Sequence, residues 1–298
     1  MERQASSVLR SSSPGDVTSS TVSGTGTWCR LLPVKIPFRS TSVQAAPSAA
    51  VAPLSTPASP ELTGGRSIGV LLLHGFSGSP ASMRPWAEDL AARGYAVEVP
   101  LLPGHGTRWQ DLNAVSWTQW YDEAEAALDR LLVSCDRVCV GALSMGGSVA
   151  LRLAEKRGDD VAGLVLVNPF VSSVRKELLV LPVLSRVVPA LKGITNDISK
   201  PGQDEVGYLK LPLRGLAQVT RMWRDVVPDL PKVTQPLLYF RSAVDHVIDD
   251  SSRQTVLGAV SSRDVEERVL ADSYHVATLD HDAQAIFDGS ADFFARVT

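Results

Sequence analysis

An α/β fold, a mostly parallel sheet with helices on both faces, is what the sequence predicts, and three observations predict it. From Gly64 onward short apolar runs alternate with longer amphipathic segments, the pattern of strands joined by crossover helices. The runs are continuously apolar rather than alternating, as in strands buried on both faces. The chain has 298 residues, 44% of them apolar and 20% charged, which is ordinary globular composition and enough for one large core.

Taken in order, "SIGVLLL" (67–73) is expected as the first core strand, "PASMRPWAEDLAARG" (80–94) as a helix ending at a glycine, and "YAVEVP" (95–100) as the next strand. "SWTQWYDEAEAALDRLLVSC" (116–135) opens with Ser116 and Gln119 in capping-box spacing and continues as an amphipathic helix. "DRVCVGAL" (136–143) is a strand and "GGSVALRLAEKRG" (146–158) the helix leaving it. "GLVLVNPF" (163–170), "QPLLYFRS" (235–242) and "DVEERVL" (264–270) supply three further strands, and "DAQAIFDGSADFFARV" (282–297) a closing helix. Between about 171 and 233 the alternation stops, in a mostly helical stretch broken by Pro182, Pro189 and Pro201. That is too long for a plain loop, so an inserted cap is expected there, within a domain spanning 61–298. Residues 1–60 are rich in Ser, Thr, Ala and Pro without periodicity and are expected to form a disordered, low-complexity tail.

Composition excludes several classes. The net charge is -3, and the tail holds five basic against two acidic residues, so the body is acidic with scattered basic side chains. No nucleic-acid partner is expected from that balance. Cys29, Cys135 and Cys139 are an odd number without metal-ligand spacing, which implies neither a disulfide framework nor a metal site, and the last two read as buried apolar thiols. No apolar run reaches the length of about 18 residues that a membrane span needs. The tail, poor in acids and rich in Ser, has a passing likeness to an organellar transit peptide. The expectation is a cytoplasmic protein, monomer or homodimer, with organellar targeting by the tail left open.

"VGALSMGGS" (140–148) sets one hydroxyl among Gly141, Ala142, Gly146 and Gly147. A serine on a strand-to-helix turn can be held in a strained, exposed position only where its neighbours leave room, the arrangement of a nucleophile elbow. The usual pattern is G-x-S-x-G, and here Ala142 replaces the first glycine. An alcohol needs a base, and the base an orienting acid. Of His74, His105, His246, His275 and His281, only His275 falls late in the chain in a loop after the last strand. Asp245 follows the strand "PLLYF" by a short turn, whereas Asp249 and Asp250 read as helix caps and Asp280 as a helix-end or supporting group. Ser144, Asp245 and His275 give the chain order of α/β hydrolases. The tetrahedral intermediate also needs an oxyanion hole. Its donors are expected to be the backbone N–H of Met145, just after the serine, and that of Phe76 in "HGFSG".

"LLLHGFSGSPASMRPWAEDLAARGY", "LLPGHGT", "GALSMGG", "VDHVI" and "SYHVATLD" resemble the small bacterial carboxylesterases and monoacylglycerol lipases of the α/β hydrolase superfamily, over residues 65–298. The resemblance implies an α/β-hydrolase fold with a short helical cap and a cofactor-free serine hydrolase of small-molecule esters. Short to medium acyl chains, monoacylglycerols included, would pass through an acyl-enzyme on Ser144, with Asp245 as acid, His275 as base, and Phe76 and Met145 as oxyanion donors. Thioesterases and perhydrolases use the same triad, and the scaffold also carries non-catalytic binding functions. In the cap, "ELLVLPVLSRVVPALKGI" (177–194) is expected to wall the acyl pocket, with Leu181 and Leu184 as candidates for that wall.

Overall fold

A computed structural model describes residues 49–298. The strands are β1 (Leu54–Thr56), β2 (Ile68–Leu73), β3 (Ala96–Val99), β4 (Arg137–Leu143), β5 (Leu164–Val167), β6 (Ala190–Lys192), β7 (Lys210–Pro212), β8 (Leu237–Ser242) and β9 (Val265–Leu270). Seven of them form one sheet in the order β1-β3-β2-β4-β5-β8-β9, and β6 with β7 makes a separate ribbon. All sheet neighbours are parallel except β1, which lies antiparallel to β3 at the edge. This is the α/β-hydrolase arrangement the sequence implied.

The helices are α1 (Arg84–Ala92), α2 (Trp109–Leu112), α3 (Trp117–Ser134), α4 (Met145–Arg157), α5 (Glu177–Val187), α6 (Leu213–Asp229), α7 (Ser251–Ala259) and α8 (Ala283–Val297). Alternate residues of each central strand feed two cores. Leu71, Val140, Leu166 and Tyr239 point to the side of α3, α4 and α6, while Val70, Cys139, Val165 and Phe240 point to that of α1 and α8. Burial on both faces accounts for the unbroken apolar runs, each large side chain contributing roughly 1.5–3 kcal/mol. The capping box opens α3, with Gln119 Oε1 accepting the Ser116 N–H at 2.9 Å.

Two boundaries differ from expectation. Residues 49–60, assigned to the disordered tail, are instead built into the domain: Leu54, Ser55 and Thr56 pair with Val99, Glu98 and Val97, and Val51 is buried. Arg84 Nη2 donates to the carbonyls of Ala49 and Ala52. A three-residue strand between Pro53 and Pro57 leaves no periodic signal, and prolines are tolerated at a sheet edge. The remainder of the expected tail, with Cys29, lies outside the described residues. The second boundary is that of the insertion at 171–233. Val219, Met222 and Val226 of α6 belong to the core beneath the sheet, so α6 is a layer helix, and the segment leaving the sheet layers is the shorter part from about 171 to 212. Within it the β6–β7 ribbon replaces the helix expected there.

Candidate active site

β4 delivers Ser144 to the carboxyl edge of the sheet, and α4 begins at the next residue. Ser144 has φ 54° and ψ −121°, a conformation that costs a non-glycine residue on the order of 1–3 kcal/mol. The surroundings hold it there. Its N–H donates to Val167 O at 3.0 Å, and its carbonyl accepts the N–H groups of Gly147 and Phe170, each at 2.9 Å. A Cβ at Gly146 would stand 2.4 Å from the Leu73 carbonyl oxygen, so β2 reaches the elbow only because that residue is glycine. The glycine before Ala142 has a different cause: a Cβ at Gly141 would lie 2.7 Å from the Trp86 ring. Ala142 itself is buried in the core, and the elbow forms with its methyl present.

The three residues picked from the sequence converge. His275 Nε2 lies 2.9 Å from Ser144 Oγ, and His275 Nδ1 lies 2.7 Å from Asp245 Oδ2. The other oxygen, Asp245 Oδ1, accepts the Val247 and Ile248 N–H groups at 2.8 and 2.9 Å, a local turn that fixes the carboxylate. Ser144 and His275 are buried. Burial by itself would push the imidazole down, but the charge and hydrogen bond of Asp245, aided by Glu205 and Asp197, carry His275 above the ordinary histidine value. Asp245 moves the other way. Burial raises it, and the His275 charge and the hydrogen bonds to the carboxylate outweigh that and leave it below the usual range.

Gly75 and Phe76 line the cavity in front of Ser144. Met145 is the first residue of α4, so its N–H has no partner within the helix and the positive end of the helix dipole faces the serine. That cavity measures about 130 Å³ and is walled by Leu143, Phe170, Leu178, Ile194, Leu211, Leu216 and Val247, with Arg175, Asp197 and Glu205 among its polar groups. A larger polar cavity of about 240 Å³ borders Asp245 but includes neither Ser144 nor His275. The chemistry therefore belongs to the first.

Leu181 and Leu184 are not part of that wall. Leu181 is 3% exposed and packs with Leu213 and Ala217 of α6, with Leu184 beside them; the residue of α5 that faces the cavity is Leu178.

The remaining histidines fall elsewhere. His74 and His105 are buried edge to face, their ring centroids 4.8 Å apart; burial lowers His74 to about 4 and His105 well below its ordinary value. His74 Nε2 accepts the Leu102 N–H at 3.2 Å, so the pair ties the loop carrying Phe76 to the loop after β3. His281 is exposed, and His246 Nδ1 pairs with Asp197 at 2.8 Å. Asp249 and Asp250 lie at the start of α7 as expected, and Asp249 Oδ2 additionally accepts the Ser173 hydroxyl and Val174 N–H.

Of the residues that support the site, the sequence marked only Asp280, as a helix-end or supporting group; Asn168, Asp197 and Glu205 carried no sequence signal. Asn168 Nδ2 donates to Ser242 Oγ and to the His275 carbonyl, both at 2.9 Å, and its Oδ1 accepts the Ser242 N–H. Asp197 accepts the His275 and His246 N–H groups at 3.2 Å. Asp280 accepts four backbone N–H groups, from Ser199, Lys200, Tyr274 and His281, and so staples the loop after β6 to the loop carrying His275. Glu205 accepts the Asn196 N–H at 2.8 Å, and burial raises its carboxyl above the usual range.

A family of hydrolases described as serine aminopeptidase, S33, matches residues 67–282. The chain belongs to this family. As an S33 serine hydrolase it has relatives that it matches over most of their length. A thermostable monoacylglycerol lipase of Bacillus sp. (strain H-257) is 35% identical over 236 residues, 77% of this chain and 91% of that protein. A carboxylesterase of Bacillus subtilis (strain 168) is 24% identical over 229 residues, 76% of this chain and 92% of that one. A solved structure from work on the metagenome-derived lipolytic enzymes LipS and LipT superposes with a TM-score of 0.78 at 32% identity, covering 83% of this chain and 98% of the other.

Proposed function

We propose that this S33 hydrolase cleaves carboxylic esters of short to medium acyl chain, monoacylglycerols among them, through an acyl-enzyme on Ser144, acting as a cytoplasmic monomer or homodimer. The observation that carries the reading is the continuous hydrogen-bonded line from Ser144 through His275 to Asp245, opening into a mainly apolar cavity. His275 Nε2 takes the hydroxyl proton as Oγ attacks the ester carbonyl, and Asp245 balances the imidazolium that forms. The Met145 and Phe76 N–H groups receive the oxyanion, a contribution worth on the order of 2.7–4 kcal/mol per donor. His275 then protonates the departing alkoxide, and water repeats the sequence on the acyl-enzyme to release the acid.

Two features bear on the substrate. The cavity of about 130 Å³ lies below the ~300–1,000 Å³ of pockets for drug-sized ligands, which suits a single acyl chain and not a three-chain lipid. Asp197 and Glu205 offer acceptors at the same cavity for the hydroxyl groups of a polyol such as glycerol. The relatives named for monoacylglycerols and carboxylic esters support the same reading.

The test is a panel of p-nitrophenyl esters and monoacylglycerols of graded chain length, with an acyl thioester, an aminoacyl anilide and a triacylglycerol, run on the wild type and on Ser144→Ala. The expected result is Ser144-dependent turnover that rises from acetyl to medium chains, with the triacylglycerol poor. Faster turnover of the thioester or the anilide would overturn the ester assignment.

A further inference from the structure

Nine of the fourteen large apolar side chains exposed in the described residues fall between 174 and 209. On α5 they form a stripe at helical spacing: Leu179 is 80% exposed, Val183 67% and Val187 78%. A soluble helix turns such a stripe toward the core, and exposed apolar area of this kind marks a surface that meets something. The charge beside it says what. Arg186, on α5 next to Val187, lines a cavity of about 200 Å³ together with Arg214 and Arg221. Arg214, Gln218 and Arg221 are spaced at i, i+4 and i+7 and so share one face of α6.

No carboxylate lines that cavity, and among the described residues none of the three arginines forms an ion pair. Arg214 Nε donates to the Ser185 carbonyl at 3.2 Å, which ties the guanidinium of α6 to α5 beside this cavity. The Asn113 side-chain oxygen is occupied by the Arg214 and Gly215 N–H groups. Asp225, one turn beyond Arg221, makes no ion pair with it. The β6–β7 ribbon repeats the combination. Lys192 and Lys210 sit directly opposite each other in its register, an unfavourable placement for like charges, and Leu191 and Leu209 are exposed beside them. All of this stands on a chain whose net charge is -3.

We propose that Arg186, Arg214 and Arg221 hold the phosphate of an anionic lipid headgroup while the outer stripe of α5 sits in the lipid surface. Planar guanidinium groups match phosphate oxygens pairwise, and the stripe alongside explains why that phosphate belongs to a lipid and not to a free metabolite. An interfacial helix combines these two features, an apolar face and basic flanks.

The experiment is co-sedimentation of the full chain with vesicles of phosphatidylcholine, alone or mixed with phosphatidylglycerol, at two salt concentrations. Binding is read without turnover, so its outcome is separate from that of the ester reading. Each basic side chain near an anionic surface is worth about fivefold in partitioning. The wild type should therefore favour the mixed vesicles by about a hundredfold at low salt, and R186Q/R214Q/R221Q should lose that preference. The triple variant should hydrolyse soluble p-nitrophenyl acetate at the wild-type rate, which also reports that it folds. V183D/V187D should weaken binding to both vesicle types. Equal partitioning of wild type and triple variant would overturn the proposal. So would calorimetric binding of inorganic phosphate without vesicle binding, or a dimer that V183D/V187D dissolves in a chain that ignores vesicles.

Discussion

The carboxyl edge of the sheet and the segment between β5 and α6 follow opposite rules. At the edge the polar side chains have their partners: Asp245 uses both oxygens, Asn168 both ends of its amide, and Asp280 accepts four N–H groups. On the segment, apolar side chains are exposed, and among the described residues its Arg186 stands with Arg214 and Arg221 of the adjoining α6 without counter-charges. Proton transfer needs atoms held within tenths of an ångström, and satisfied buried networks provide that stiffness. Recognition of a lipid needs surface that is free until the ligand arrives. Substitutions at the edge should therefore abolish turnover, whereas those on the segment should change what is turned over or where.

The sharpest form of that contrast is Ser144→Ala or His275→Ala. Either should cost about a millionfold in kcat with an unchanged melting temperature, measured on a soluble ester. Loss of activity on His246→Ala or His281→Ala instead would break the assignment of the base.

Asp245→Asn comes next, with an expected loss of about 10⁴-fold in kcat and a second signature in pH. His275 must be neutral to act as base, and its pKa is raised, so kcat/KM in the wild type should climb through an apparent pKa above about 6.5. The linkage has the opposite sign. A raised histidine stabilises the fold below its unfolded value, and that stabilisation is lost as pH rises through the folded value. Activity thus grows in the window where the ion pair's contribution fades. In Asp245→Asn the acid limb should move to lower pH. An unmoved limb would mean that Asp245 does not set the titration of His275.

How much of this was legible in the sequence follows the same division. β2, β4, β5 and β8 show as unbroken apolar runs because both their faces are buried, and Ser144, Asp245 and His275 stand just past strand ends, where a doubly wound sheet gathers its ligand-facing loops. Asn168, Asp197 and Glu205 lie where no periodicity marks them; they matter through hydrogen bonds to backbone groups brought near only by folding. Leu181 and Leu184 failed for a related reason. Every side of "ELLVLPVLSRV" is apolar, so composition cannot say which face of α5 meets α6 and which meets the cavity. Leu178, one turn before Leu181, faces the substrate side.

That difference can be measured on neighbouring turns of one helix. Leu178→Ser should lower the octanoyl-to-acetyl ratio of kcat/KM several-fold, since each buried methylene is worth about 0.8 kcal/mol, and leave stability nearly unchanged. Leu181→Ala should cost about 2 kcal/mol of stability by emptying its contact with α6 while the ratio stays put. Reversed outcomes would return Leu181 to the acyl wall.

The smallest effect is expected at the far edge of the sheet, with a chain begun at residue 49 compared with one begun at residue 61. The shorter chain loses β1, the Thr56 Oγ1 that accepts the Val97 N–H at 3.2 Å, the buried Val51 and the carbonyls that Arg84 grips. Burying one valine and a few hydrogen bonds is worth about 2 kcal/mol net, or roughly 4–8 °C in a domain of this size. The kcat on a soluble ester should not change, because β1 is separated from β4 and Ser144 by β3 and β2. Removing β1 also uncovers β3 as an edge strand, a template for pairing between chains, so the shorter form should aggregate sooner on heating. Equal melting temperatures would show that residues 49–60 add nothing to the fold, and a loss of turnover would show that the sheet passes strain from its edge to the elbow.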